Sequence, residues 1–167
     1  MDALPAALDT AGNVDKSLYA QNRFSHINGK CVDLDGFHDG AVRGNVCVDN
    51  GNYGIVMNNN NPDMRPEKIR IEDNLVQGAQ YGGIFVMGTG HTIARNRLLD
   101  LNRAHRLEDL LRAGIFLGNS VVHWAPARAN VVEQNRISGW GLKCVAAAPE
   151  VRMEENKIVD NSCSGGH

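Results

Sequence analysis

Four ionisable side chains fall within one seven-residue stretch of this chain: Asp33, Asp35, His38 and Asp39. Carboxylates and imidazoles are the groups that most often donate and accept protons in enzymes. A pair of carboxylates placed across a glycosidic bond, or across a sugar C5–H, would supply a general acid and a general base. We therefore predict Asp33, Asp35, His38 and Asp39 as a catalytic group for acid–base chemistry.

The chemistry around this stretch leaves several points open. Lys30 and Arg43 flank it and are expected to bind substrate. Arginines can each hold the carboxylate of a uronate, and nothing in the sequence selects one among Arg43, Arg65, Arg95 and Arg128. Carboxylate oxygens also suit Ca²⁺, so this ion is a possible cofactor, although no defined metal site is predicted.

A purely structural interpretation of the acidic stretch stands beside the catalytic one. Asp35-Gly36 and Asp39-Gly40 are Asp-Gly pairs. Such pairs favour turns, because Asp caps nearby backbone amides and Gly adopts left-handed backbone without strain. Both carboxylates would then only shape two turns.

The elements that must position these residues come from a repeat. Asparagines recur at intervals of 21 to 39 residues, with an apolar residue two positions later; they are Asn22, Asn45, Asn74, Asn96, Asn135 and Asn156. A second register begins at glycines followed by alternating apolar residues; they are Gly54, Gly83, Gly114 and Gly141. Short strands at this period, with no helical spacing, are typical of a β-solenoid whose stacked coils share one core. Asparagine at the same corner of each coil predicts a hydrogen-bonded ladder.

Over residues 17–161 this pattern resembles that of right-handed parallel β-helix repeat proteins, the pectate-lyase-like solenoids. The resemblance implies an all-β, single-stranded right-handed parallel β-helix of about six coils, with one short helical insert. It also implies an extracytoplasmic protein active on carbohydrate, such as a pectate lyase, a polygalacturonase or an alginate epimerase. The segment Asp35-Gly36-Phe37-His38-Asp39 loosely resembles the Asp-Pro-His-Asp segment of mannuronan C5-epimerases, with Gly-Phe in place of the proline.

Outward positions of the glycine-led strands are a second candidate surface. Alternation assigns them to Val56, Phe85, Phe116 and Lys143. Because coils stack about 4.8 Å apart, Phe85 and Phe116 are expected to be neighbours that bind substrate by stacking on sugar faces. They could equally be covered by residues 103–112, whose leucines are spaced as in a short amphipathic helix.

Bulk properties limit the partners. Net charge is −2 and no basic patch interleaved with aromatic residues occurs, so we expect no nucleic-acid partner. The family resemblance implies a polysaccharide or oligosaccharide as the partner. No run is long enough for a membrane span. We interpret Cys31, Cys47 and Cys144 as interior thiols, place Cys163 in the tail, and predict no disulfide framework. The first residues do not form a signal peptide, so the chain is either cytosolic or a piece of an exported protein. Because the repeats run nearly to both ends without an obvious polar cap, we favour the second and expect a secreted or periplasmic protein that is part of a longer precursor.

The repeat pattern and the family resemblance predict the domain limits and the function. We expect a lead-in over residues 1–16, the β-helix over 17–161 and a tail over 162–167. A polysaccharide lyase, glycoside hydrolase or uronate epimerase is the leading function. Two alternatives are a non-catalytic scaffold that associates through its end coils, and a sugar-binding segment that uses Phe85, Phe116 and Trp124.

Overall fold

The structure is a computed structural model, and it describes residues 6–60 and 65–166. In this part the chain forms three six-stranded parallel sheets that wind around one apolar interior, together with a two-stranded pair. Each of about six coils contributes one strand to each sheet. The predicted all-β parallel solenoid is therefore confirmed.

The strands are numbered β1–β20 in chain order. The first sheet contains β1 Ala6–Thr10, β5 Lys30–Asp35, β9 Ile55–Asn58, β12 Ile84–Val86, β15 Ile115–Leu117 and β18 Val145–Ala147. The second contains β3 Leu18–Ala20, β7 Ala41–Arg43, β10 Arg70–Glu72, β13 Thr92–Ala94, β16 Val131–Glu133 and β19 Lys157–Val159. The third contains β4 Arg23–Ser25, β8 Val46–Val48, β11 Leu75–Gln77, β14 Arg97–Leu99, β17 Arg136–Ser138 and β20 Ser162–Ser164. The short pair is β2 Val14–Asp15 with β6 Phe37–His38.

Side-chain alternation along each strand builds the core. In the first sheet, Val32, Ile55, Ile84 and Ile115 are in register and fully buried. Burying such columns of branched apolar side chains is the main favourable term, because no single coil can cover its own inner face.

The asparagine ladder is present, with one correction at its last rung. Each side-chain oxygen accepts hydrogen bonds from the backbone and side-chain amides of the preceding coil, as Asn74 does from Asn45 at 2.9 and 3.0 Å. The rung after Asn135 is Asn161, not Asn156. Asn156 belongs to a second, shorter ladder, whose rungs are His91, Asn130 and Asn156. The corners at Asn156 and Asn161 share one local pattern, an apolar residue three positions before the asparagine and another two positions after it.

The prediction of free interior cysteines was wrong. The structure contains two disulfides, Cys31–Cys47 and Cys144–Cys163, with Cα atoms 6.0 and 5.9 Å apart. Cys31 and Cys144 stand in the column that the intervening coils fill with Gly54, Gly83 and Gly114. A Cβ at Gly114 would lie 2.4 Å from the Ile137 side chain, so a coil needs either glycine here or a bond to the residue opposite.

Two expectations about the last coil, and one about the length of the solenoid, were wrong. The glycine position of the last coil is Cys144 and not Gly141, so the outward residue beside Phe116 is Ala146 and not Lys143. The solenoid is also longer than residues 17–161. β1 already pairs with β5, and β20 with β17, because their backbone groups continue the ladders.

The insert before β15 is less helical than its leucine spacing predicts. Only α1, Asp109–Arg112, is helical, and it buries none of its residues. Leu107 and Leu110 are 80% and 46% exposed, so the insert forms no apolar cover on the barrel. Residues 1–5, where a lead-in was expected, residues 61–64 of the loop after β9, and His167 lie outside the described residues. No helix in the described ranges is both long enough and apolar enough to cross a membrane.

Candidate functional site

One column of side chains runs along the outer face of the first sheet. Strand register places Asp9, Asp33, Val56, Phe85, Phe116 and Ala146 side by side in successive coils. The column is acidic at its N-terminal end and aromatic in its middle. Since neighbouring strands lie about 4.8 Å apart, Asp33 is about 10 Å from Phe85 along the solenoid axis.

An open groove of about 570 Å³, here called the outer groove, lies over the aromatic part of this column. Phe85, Met87 and Phe116 belong to it, as do Asn58 and Asn60. The other lining residues come from the two insertions on either side of β15 and from the segment that follows β18. They are Asp109, Leu110, Asn119, Ser120, Val121, Val122, Ala148, Pro149 and Glu150. Its volume lies in the range of small-molecule sites.

The floor of the outer groove is a stacked aromatic pair. The rings of Phe85 and Phe116 are 5.9 Å apart and nearly parallel, at 12°. Tyr53 meets Phe85 edge-on at 6.1 Å. Phe85 is half-buried and Phe116 is only 6% exposed, so most of the aromatic surface that the groove can reach belongs to Phe85. The structure thus brings together the two predicted aromatic residues.

Asp33 is held at the acidic end of the column. One carboxylate oxygen accepts from the Lys30 ammonium and the other from the Asn58 side-chain amide. Burial raises the pKa of this carboxyl above its usual range, although Lys30 opposes the shift by hydrogen bond and charge, and Asp9 adds to it. Asp33 is therefore the carboxyl of this group that is biased toward keeping its proton.

Asp35 lies two residues further along β5 and on the same face. Its two oxygens accept from the Asn60 backbone amide at 3.1 Å and from the Asn60 side chain at 2.8 Å. Strand geometry places Asp33 and Asp35 about 6–7 Å apart at Cα. Asn58 and Asn60, which hold the pair, both line the outer groove.

The other predicted site residues have different surroundings. His38 follows the turn at Gly36, and its Nδ1 hydrogen-bonds Asp15 at 3.1 Å. Asp39 has left-handed backbone and lies 3.8 Å from the Lys68 ammonium. Arg43 belongs to the second sheet, where it pairs with Asp73. The structure therefore brings together Lys30, Asp33 and Asp35. The remaining three residues, His38, Asp39 and Arg43, each contact a different partner elsewhere on the solenoid.

The acidic residues do not assemble a set of metal ligands. Within the described ranges, no three side chains of His, Cys, Asp or Glu come together in a way that could hold an ion. At Asp33 the positive charge is supplied by Lys30. The residues present therefore do not fit the calcium ion that the sequence allowed.

Several groove residues were missed from sequence. Asn58 and Asn60 stand in an asparagine run that indicates only a loop. Asp109 and Glu150 are exposed and reach the groove from an insertion and from the end of the last strand in the first sheet. No spacing rule connects these residues, because only the stacking of coils brings them near Phe85.

The fold and groove define the protein as a parallel β-helix with one elaborated sheet face. The family model for the right-handed beta helix region matches residues 10–99, just over half of the 167 residues. The chain therefore belongs to the right-handed β-helix family. Comparison with curated proteins gave no match, and comparison with solved structures gave none either.

Proposed function

We propose that this chain is a polysaccharide-active β-helix protein that binds a saccharide in the outer groove and carries out acid–base chemistry with Asp33 and Asp35. The right-handed β-helix family supports a pectate-lyase-like or related protein. The reaction belongs to the lyase, glycoside hydrolase or uronate epimerase type, each of which requires proton transfer at a sugar carbon or a glycosidic oxygen.

The stacked pair of Phe85 and Phe116 carries the proposal. Large apolar surfaces are normally buried, and the exposed part of Phe85, which packs on Phe116 at the bottom of an open groove, is an apolar surface of the kind that contacts a sugar ring. Around this floor the groove presents amide and hydroxyl groups of Asn58, Asn60, Asn119 and Ser120. Such groups can hydrogen-bond saccharide hydroxyls, so the lining combines the two contacts that a saccharide needs.

The two carboxyl groups are assigned different roles. Asp33 has its pKa raised by burial, which suits a general acid. Asp35 accepts two hydrogen bonds from Asn60, and we assign it as the general base. A sugar seated on Phe85 and extending toward the N-terminal end of the solenoid would reach the pair past Asn58 and Asn60. His38 and Asp39, predicted as catalytic from sequence, have no assigned step in this scheme.

The two disulfides support an extracytoplasmic location. Disulfides persist in oxidising compartments and are rare in the cytosol, where thiols are kept reduced. Because the second and the last coil each contain one, we propose that the protein folds and works outside the cytosol. Labelling of free thiols in protein isolated from its native cells would test this, with unreactive cysteines as the expected result.

Binding is tested first with a panel of neutral and acidic oligosaccharides, by isothermal titration calorimetry. Phe85→Ala should weaken saccharide binding at least tenfold, since it removes the more exposed ring. Leu99→Ala, half-buried on the third sheet, is the matched control and should bind normally. Absence of binding by the wild type to every member of the panel would overturn the proposal.

Turnover is then followed with three readouts on the polymers that bind. Ultraviolet absorbance detects the unsaturated product of elimination, reducing-end assays detect hydrolysis, and proton NMR detects epimerisation at C5. Asp33→Asn and Asp35→Asn should each lower the rate at least a hundredfold. Asp160→Asn, an exposed corner residue between the second and third sheets, should not. Saccharide binding without any turnover would show that the proposed acid–base chemistry of Asp33 and Asp35 is wrong.

A further inference from the structure

A small pocket lies on the other side of the loop that borders the outer groove. It has a volume of about 210 Å³, and the residues that give it its chemistry are Arg65, Glu67, Thr89, Trp124 and Arg128. We call it the basic pocket. The loop after β15 serves both sites, because Val121 and Val122 line the outer groove whereas Trp124 and Arg128 line the basic pocket.

The floor of the basic pocket is built from three successive coils. Glu67, Thr89 and Arg128 form isolated parallel bridges, so they stand side by side. Gly88 is essential to this arrangement: it has φ +88°, and a Cβ there would lie 2.0 Å from the Pro66 carbonyl oxygen. Its amide donates to Ala125 at 2.9 Å, and its carbonyl accepts from the Arg128 amide at 3.0 Å. The pocket is therefore anchored to the solenoid by backbone contacts.

The structure separates the four arginines that sequence left equivalent. Arg43 and Arg95 are both engaged by Asp73, at 3.5 and 2.9 Å. Arg65 and Arg128 are exposed at the basic pocket, and neither forms an ion pair with a carboxylate in the described part of the chain. The carboxylate of Glu67, which also lines the pocket, lies 3.8 Å from the Lys68 ammonium. The two guanidinium groups are therefore suited to bind one further carboxylate, which they can contact with paired N–H groups.

Trp124 supplies the second half of a recognition surface. Its side chain is 65% exposed although indole is among the largest apolar groups in proteins. An exposed indole that lines the same cavity as two guanidinium groups can pack against the flat face of a ring whose acidic substituent contacts the arginines. A cavity of about 210 Å³ accommodates one sugar unit and is smaller than the usual drug-sized site.

We propose that the basic pocket binds one acidic sugar residue, a hexuronate, with its carboxylate on Arg65 and Arg128 and its ring on Trp124. The outer groove cannot provide this contact, since its described lining residues include Asp109 and Glu150 but no lysine, arginine or histidine. The basic pocket would thus favour negatively charged sugar residues over neutral ones, at a position outside the outer groove. The inference rests on the proposed function for the ligand class, a saccharide, and on the pocket itself for the charge.

The test uses the intrinsic fluorescence of Trp124. Trp124 and Trp140 are the two tryptophans of the chain, so Trp140→Phe leaves Trp124 as the reporter. This protein is titrated with oligomers of galacturonate, glucuronate and mannuronate, and with neutral oligomers of the corresponding hexoses. A saturable change is expected with at least one acidic oligomer, with at least tenfold weaker binding of its neutral counterpart and weaker binding at higher salt.

Two variants and one control assign the contact. In the Trp140→Phe background, Arg65→Gln and Arg128→Gln should each weaken the acidic oligomer at least tenfold. Arg136→Gln, which changes an exposed arginine on β17, should leave it unchanged. A response to none of the acidic oligomers, equal binding of the neutral ones, or no effect of Arg128→Gln would overturn the inference.

The failure of this inference is distinguishable from failure of the proposed function. Phe85→Ala and Asp33→Asn alter the outer groove and the carboxylate pair, and they should leave the Trp124 response to an acidic oligomer intact. Loss of turnover in Asp33→Asn with an unchanged Trp124 titration supports both sites. A different result would reject the inference about the basic pocket and leave the proposed function standing. In that case Arg128→Gln still turns over neutral polymers, and Trp124 responds to none of the oligomers.

Discussion

The Nδ1 atom of His91 accepts a hydrogen bond from the backbone amide of Ile69 at 3.0 Å, in the place where the next rungs of that ladder use asparagine oxygens. Its Nε2 lies 2.8 Å from the Met87 carbonyl oxygen, to which it donates. The imidazole is therefore neutral in the folded state, and burial lowers its pKa from 6.5 to about 4.

This rung predicts a pH-dependent stability. The folded state binds fewer protons at His91 than the unfolded state between pH 6.5 and about 4, so the stabilisation present above pH 6.5 is lost as pH falls through that window. The loss should reach about 3 kcal/mol near pH 4. Urea unfolding at several pH values measures it.

A substitution at the same rung isolates the effect. His91→Asn copies the neighbouring rungs and removes the titrating group, so the free energy of unfolding should change less between pH 6.5 and 4. His26→Asn, at an exposed corner histidine, is the control and should retain the wild-type dependence. If His91→Asn and the wild type lose stability in parallel, His91 is not the source.

The main ladder should be most sensitive in its middle. Asn74→Ala removes the acceptor for the Asn45 backbone and side-chain amides and two donated bonds, to the Val42 carbonyl and the Asn96 side chain. Leaving buried groups unpaired costs about 1–3 kcal/mol each, so we expect about 3 kcal/mol or more. Chemical denaturation measures the change.

The first rung provides the comparison for this variant. Asn22→Ala removes one donor to Asn45, the Asn22 side-chain amide, at one end of the ladder, where the side chain is only part-buried. Because its backbone amide can still reach Asn45, the loss should be about 1 kcal/mol. Equal losses at Asn22 and Asn74 would contradict a ladder that stabilises through its buried interior.

The column that holds Cys31 and Cys144 predicts that a third disulfide can be introduced. Gly54→Cys with Val76→Cys places thiols where the second coil has Cys31 and Cys47. The new bond should form spontaneously and contribute about 3 kcal/mol, as expected for a loop of this size. The measured gain should be smaller, because the Cβ added at Gly54 would lie 2.7 Å from the Gly83 carbonyl oxygen. Mass spectrometry detects the loss of two hydrogens, and thermal unfolding measures the gain.

The single variants show whether the pairing is responsible. Gly54→Cys alone should destabilise, because its Cβ would lie 2.6 Å from both Val76 methyl carbons. Val76→Cys alone loses apolar volume and should also destabilise. A double variant that keeps two free thiols would show that the two columns do not face each other as described.

Lys30 is predicted to set the acidity of Asp33. Lys30→Met removes the hydrogen bond and the positive charge that oppose desolvation, so the pKa of the Asp33 carboxyl should rise further above its usual value. The side-chain carboxyl carbon of Asp33, followed by NMR during a pH titration, reports this directly. Lys157→Met, at an exposed position on β19, should leave the titration unchanged.

Activity provides the second readout of the same change. If Asp33 is the general acid, its protonated form is active, and a higher pKa extends activity to higher pH. The pH profile of Lys30→Met should then move upward together with the NMR titration. A titration that moves without the activity profile would remove Asp33 from the acid role.

Sequence predicted the solenoid well because its signals are local. The ladder from Asn22 to Asn135 and the apolar columns follow from short motifs that recur in every coil. The errors occurred where one local pattern fits two places. Asn156 and Asn161 are both preceded and followed by suitable apolar residues, and only backbone pairing with the preceding coil assigns the ladder to Asn161.

The candidate site was less predictable, since it depends on contacts between coils. Asp33 and Asp35 could be placed on one face by strand alternation, and the Asp35-Gly36 pair predicts the turn that is found at Gly36. The contact of His38 with Asp15 of the preceding coil is not evident from spacing. The cysteines were misassigned because Cys31 and Cys144 replace glycines. Their pairing becomes evident only when the third sheet is placed opposite the first.

The placement of the two disulfides bears on how the rod comes apart. A solenoid in which each repeat contacts only its neighbours unravels from its termini, where a coil has one neighbour instead of two. Cys144–Cys163 lies in the last coil and Cys31–Cys47 in the second, so the covalent links fall near the ends and not in the middle. Reduction should therefore let peeling start at lower temperature, and limited proteolysis should then cut the terminal coils before the central ones.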